Sequence, residues 1–116
     1  MRDGCVFCDY AGPSEIIAEY LGGDVFVIEP INPVTEGHVL VIPRVHIANF
    51  TDKPSHVFDA VMTAARWHAR SYLRSCNLIT SKGEAATQTV SHLHVHLVPR
   101  RKNDGLKLPW SEGRGE

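Results

Sequence analysis

The chain has 116 residues, 43% apolar and 22% charged, with a net charge of −1. That length predicts one domain, able to bury a single core but no deep enclosed cavity, and the charge supplies no basic field for a nucleic-acid backbone, the only tight basic run being Arg100-Arg101-Lys102. No stretch has the apolar length of a membrane span, and the start of the chain lacks the hydrophobic segment of a secretory signal, which predicts a cytoplasmic protein.

Taken in chain order, Cys5-x-x-Cys8 comes first. Three cysteines are an odd number, which argues against a complete disulfide framework, and in a reducing cytosol the pair reads as half of a metal site or as a redox motif. Residues 16–20 and 24–28 read as strands joined in a hairpin by Gly22-Gly23. Residues 39–42, an apolar run between Gly37-His38 and Pro43, read as a central strand. From Pro54 to Ser75, Val57, Phe58, Val61, Met62, Ala65, Ala69, Tyr72 and Leu73 recur at three- and four-residue spacings. This is the stripe of a long amphipathic helix, with Asp52 as its N-cap and Pro54 in the first turn. His68 lies beside the stripe and reads as a packed or surface histidine rather than a ligand, and Cys76 as a small buried hydrophobe. Residues 77–80 and 90–98 complete the strands, separated by a polar loop over 81–89. The class is α+β: a five-stranded, antiparallel sheet with one long helix packed on it. The tail from Asn103 to Glu116 is expected to drape over the body through Leu106, Leu108 and Trp110, with its last few residues frayed. Residues 1–116 thus form one domain, with 5–100 as its body and 101–116 as a tail.

Within Ser91 to Val98, polar and apolar residues alternate strictly from His92 to Leu97. On a strand that puts His92, His94 and His96 on one face, roughly 6 to 7 Å apart at the backbone, and Leu93, Val95 and Leu97 on the core face. Crowded, partly neutral imidazoles suit proton handling, metal binding or attack on phosphorus. A merely polar face has no reason to choose histidine three times running.

This segment resembles the signature of the histidine-triad (HIT) family, histidine–apolar–histidine–apolar–histidine–apolar–apolar, at every position. The likeness extends through Gln88-Thr89-Val90 and Pro99-Arg100, takes in Gly37-His38 to Pro43-Arg44, and includes the Cys5-x-x-Cys8 start. It implies that His94 is a nucleophile that attacks the α-phosphorus of a nucleotide and forms a nucleotidyl-histidine, its tautomer fixed by a backbone carbonyl. It further implies that His96 donates to a phosphate oxygen and that His38 supports the other imidazoles from across the sheet. Gln88 and Thr89 match positions that contact the bridging or leaving atom, and Ser81 lies in the pocket loop. Family members with the N-terminal cysteine pair hold a structural zinc, which here would take Cys5, Cys8, His46 and His92. A redox dithiol would instead sit at a helix N-terminus in a thioredoxin-like pattern, and no such pattern is visible. The family typically pairs as a homodimer that continues the sheet.

The chain departs from the family at two places. An Asp or Asn that grips the ribose eight residues before His38 is Pro30 here, leaving Glu29 or Asn32 to reach the sugar, and the glycine before Gln88 is Thr87. The expected activity is hydrolysis or nucleotidyl transfer at the α-phosphate of a dinucleoside polyphosphate or a nucleoside phosphoramidate. The basic run at Arg100 leans towards the polyphosphates, although as structure it reads better as a solvated basic turn. The alternative is a nucleotide-binding regulator with negligible turnover, which would have no need of a nucleophile.

Overall fold

Leu21, Gly22 and Gly23 make one tight turn with φ of 55°, 67° and 94°, a left-handed path that the two glycines follow without strain. The turn joins β1 (Ile16–Tyr20) to β2 (Val25–Ile28) as an antiparallel hairpin, as the glycine pair predicts. The computed structural model describes residues 5–10 and 12–110. β3 (Val39–Pro43) pairs with β2, the chain leaves the sheet as α1 (Ser55–Tyr72), returns as the edge strand β4 (Cys76–Ile79), and ends the sheet with β5 (Val95–Pro99). The strand order is β1-β2-β3-β5-β4 with every pairing antiparallel, so β3 and β5 lie side by side at the centre. The expected five-stranded α+β fold is the one observed.

The sheet is buried on both faces. On one face Val25, Val27, Val39 and Val41, with Leu93, Val95 and Leu97, pack against Val57, Val61, Ala64 and Ala65 of α1. On the other, Phe26, Ile28, Leu40 and Ile42 are covered by Phe7 from the N-terminal segment. Leu40 stands opposite His96 in the β3–β5 register, so the histidines belong to the face turned away from the helix. Each fully buried large aliphatic or aromatic side chain contributes roughly 1.5–3 kcal/mol, which makes this two-sided core the main support of the histidine strand.

Four local expectations are corrected. The helix is capped at Pro54, not Asp52, whose carboxylate instead accepts the Ala48 N–H at 2.8 Å and closes the turn before the helix. Tyr72, counted in the apolar stripe, is 70% exposed, whereas His68 is buried in its place, hydrogen-bonded to Tyr20 Oη at 2.9 Å. Regular pairing begins at Val95 rather than Val90, because the Leu93 N–H is committed to Ile47 O at 2.7 Å and the His92 carbonyl to a side chain. Cys76 is only half-buried, at the start of the edge strand. Leu106 and Leu108 of the tail line a cleft beside the sheet, Trp110 is half exposed, and the expected frayed end lies outside the described residues. No described helix is long and apolar enough to cross a membrane.

Candidate active site and metal centre

Alternation carries His92, His94 and His96 to one side of the chain, but the tertiary structure divides their surroundings. His92 is fully buried under the N-terminal segment, and Phe7 presents its ring to both His92 and His94, with centroids 5.7 and 5.4 Å away. His94 and His96 open into a cleft of about 300 Å³, which His38, Ser81, Thr87 and Gln88 also line.

Hydrogen bonds fix the state of each imidazole. His94 Nδ1–H donates to the carbonyl of His92 at 2.9 Å, so Nε2 is the nitrogen that is unprotonated in the neutral ring. A second chain of bonds starts on the backbone: Val34 N–H donates to His38 Nδ1 at 3.1 Å, so His38 carries its proton on Nε2. That proton goes to His96 Nδ1 at 3.0 Å, and a neutral His96 then carries its own on Nε2. Two neighbouring rings, with centroids 5.4 Å apart, are thus set as a lone-pair donor and an N–H donor. Burial, with His94 and His38 adding to it, pushes the His96 pKa down to about 4, so the ring stays neutral at physiological pH. Burial lowers His38 as well, and the charge of Glu29 opposes this. Thr80 Oγ1–H donates to the His94 carbonyl at 2.8 Å and holds the backbone at the centre of the site.

The other residues singled out in the sequence are distributed unevenly. Gln88 reaches the cleft, but its amide donates to Ala48 O (2.6 Å) and Val90 O (3.1 Å) and its carbonyl accepts from Gly83 N–H (2.8 Å), so it braces the 83–90 loop. Thr89 is exposed and outside the lining; Thr87, in the left-handed conformation at φ 66°, takes a lining position instead. Asn32 is exposed and does not reach the histidines' cleft. Glu29 borders a second, apolar cleft of about 190 Å³ walled by Phe7, Tyr10, Ile28, Ile31 and Leu40, as does Pro30. Sequence reading missed the Val34 amide, which no side-chain pattern can signal. It also missed Phe7, whose position between two cysteines that reach His92 was a usable clue.

At the buried end of the site, Cys5 Sγ, Cys8 Sγ, His46 and His92 offer ligand atoms that all lie within 4.8 Å of one another. Individual separations are 3.0 Å for Cys8 Sγ to His46 Nδ1, 3.1 Å between the two Nδ1 atoms, and 3.4 Å for Cys5 Sγ to His92 Nδ1. Tetrahedral zinc with thiolate and imidazole ligands has ligand–ligand edges of roughly 3.3–3.8 Å, so the set fits such an ion with small adjustments. His92 Nε2–H donates to Pro43 O at 2.8 Å, which aims Nδ1 at the cluster. The four residues expected to bind metal are therefore brought together, and the cluster is able to hold a metal ion.

An imidazole whose Nδ1–H is held on a backbone carbonyl, beside a neutral imidazole that donates, next to a cysteine–histidine cluster able to hold a metal ion, defines a histidine-triad site. The HIT domain model matches residues 13–103, and the chain belongs to that family. It is 36% identical over 115 residues to the protein hit of Bacillus subtilis, covering 93% of this chain and 79% of that one. It is 34% identical over 111 residues to an adenosine 5′-monophosphoramidase of Saccharomyces cerevisiae, covering 91% and 69%. Among solved structures it is similar to a zinc-bound histidine triad family protein of Mycobacterium smegmatis, with a TM-score of 0.76, 36% identity, and 90% and 81% of the two chains covered.

Proposed function

We propose that this chain is a nucleotidyl hydrolase or transferase that opens the bond between a nucleotide's α-phosphorus and its leaving group through a covalent intermediate on His94. The observation that carries the reading is the opposite setting of the two neighbouring rings, His94 Nε2 bare and His96 Nε2 protonated. His94 Nε2 forms a bond to phosphorus as the bond to the leaving group breaks with its electron pair. His96 Nε2–H donates to a phosphoryl oxygen as charge builds there. Water then attacks the nucleotidyl-histidine, returning Nε2 and releasing the nucleoside monophosphate. Because His94 Nδ1–H stays on the His92 carbonyl, the ring keeps its tautomer in both steps. The similarity to a monophosphoramidase supports a phosphoramidate as one substrate class. The second cleft, with Phe7 and Tyr10 on its wall, suits a planar base next to His94. Pro30 offers no side-chain hydrogen bond to a ribose there.

A regulator that only binds nucleotides is the weaker reading, since it has no use for a nucleophile held in one tautomer. The ion in the cysteine–histidine cluster is zinc in this proposal, supported by the ligand chemistry and by the zinc-bound relative, and its part is to tie the N-terminal segment to the histidine strand.

The deciding experiment is rapid-quench mass spectrometry with adenosine 5′-phosphoramidate and a diadenosine polyphosphate. A transient gain of one adenylyl mass on the wild type, absent in His94→Ala, is expected. Wild-type turnover by the Ala variant would sink the assignment.

A further inference from the structure

A third cleft, of about 430 Å³, lies on the helix side of the sheet, away from the face that carries His94 and His96. Ile17 and Ala18 of β1, Val39 of β3, and Tyr72 and Leu73 at the end of α1 supply its walls, with His68 set among them. It sits at the β1 edge of the sheet, the edge opposite β4. Among the described residues no Asp, Glu, Lys or Arg lines it.

His68 is only 7% exposed, yet the protein uses just one of its ring nitrogens. Nδ1 meets Tyr20 Oη at 2.9 Å, and Nε2 has no hydrogen-bond partner among the described residues. None of those residues holds a fully enclosed side-chain nitrogen or oxygen without a partner, so Nε2 looks out into the cleft that His68 lines. Burial raises the Tyr20 phenol above its usual range and lowers His68, which keeps both groups uncharged near neutral pH. The phenol O–H is the stronger donor and a bare imidazole nitrogen the stronger acceptor. Tyr20 therefore donates to Nδ1, and the ring carries its own proton on Nε2. The rings of Tyr20 and Tyr72 flank the imidazole, with centroids 6.0 and 4.9 Å away, and hold its plane. An N–H pointed out of an otherwise apolar wall leaves a hydrogen bond to be completed.

We infer that this cleft is a ligand site separate from that of His94 and His96, and that it takes a small uncharged molecule, mostly hydrocarbon, whose one acceptor oxygen (of a ketone, ester or amide) bonds to His68 Nε2–H. Apolar walls gain by covering hydrocarbon, and a single donor fixes the orientation. The lack of a facing charge selects against nucleotides and other ions, whose desolvation nothing here would offset. The inference does not depend on the nucleotide chemistry.

Acetophenone is a probe of that class, with one aromatic ring, one carbonyl and no charge. In NMR titrations of isotope-labelled protein it is expected to bind with a dissociation constant on the order of a millimolar or below, as suits a ligand of its size. The His68 Nε2 resonance should shift, and NOEs should run from the probe to the side chains of Ile17 and Leu73. His68→Phe, which keeps a ring in the wall and removes the donor, should weaken binding roughly fivefold or more. Ala18→Leu, which fills the cleft from the edge strand, should abolish it. Should His68→Phe fail to fold, Tyr20→Phe, which no longer fixes the proton on Nε2, takes its place. No saturable binding up to the probe's solubility overturns the site, as do NOEs confined to Phe7 and Tyr10. An unchanged affinity in His68→Phe, with a melting curve like the wild type's, overturns the role of the imidazole.

Discussion

His38 Nε2 stands 3.0 Å from His96 Nδ1, so two side chains 58 positions apart share one proton whose direction is set by the Val34 amide. Removing that relay frees His96 to place its proton on Nδ1, away from the cleft. His38→Ala is therefore expected to lower kcat on the order of a hundredfold, with a smaller change in KM. His38→Gln, which can still donate, should recover part of the loss. Equal rates for Ala and Gln variants would show that the bond has no catalytic weight.

The cysteine–histidine cluster joins Cys5 to His92 across 87 positions, closing most of the chain into one loop. Ion binding to such a set adds directly to folding free energy and removes entropy from the unfolded chain. Elemental analysis of protein purified without chelator should find close to one zinc per chain. Chelation should lower Tm by roughly 10 °C or more. Cys5→Ser and Cys8→Ser should destabilise and keep residual turnover, whereas His94→Ala should melt like the wild type and not turn over. An unchanged melt in chelator, with no metal found, would leave the cluster without its role.

Acid should destabilise the metal-free fold through its buried and half-buried imidazoles. Folded His96 takes its proton only near pH 4, while the unfolded chain takes it near 6.5, so the unfolded state binds more protons between those values. The contribution is complete above pH 6.5 and is lost as pH falls towards 4; buried His38 and His68, also lowered by burial, act in the same direction. Melting in chelator from pH 7.5 to 4 should show Tm falling, and His96→Gln should flatten the fall. Parallel curves for the two proteins would remove His96 from the account.

Oligomeric state is the fourth expectation. The edge strand β4 leaves Leu78 41% and Ile79 39% exposed. A second copy that extends the sheet at β4 would cover this apolar surface. Light scattering at micromolar concentration should return about twice the 12.9 kDa chain mass, and a monomer across the whole range would refute the pairing.

The sequence by itself determined the elements and the sidedness of the histidines. Period-two alternation from His92 to Leu97 put Leu93, Val95 and Leu97 into the helix-side core, and the Gly22-Gly23 turn and the stripe from Val57 to Ala69 located the hairpin and helix, because backbone geometry sets these periods locally. Only the tertiary structure decided what each polar group does. Which nitrogen of His38, His94 or His96 holds a proton depends on the amide of Val34 and the carbonyl of His92, groups present at every position of any chain and therefore silent in sequence. Arg100 read as a free cation until Asp104, Asn77 and the Leu106 carbonyl were seen around it. Asp52 read as a cap until the Ala48 amide took its carboxylate. Hydrophobic pattern is a property of neighbours along the chain, whereas hydrogen bonds and charge pairs form between whatever groups the folded backbone brings within 3 Å or so of each other.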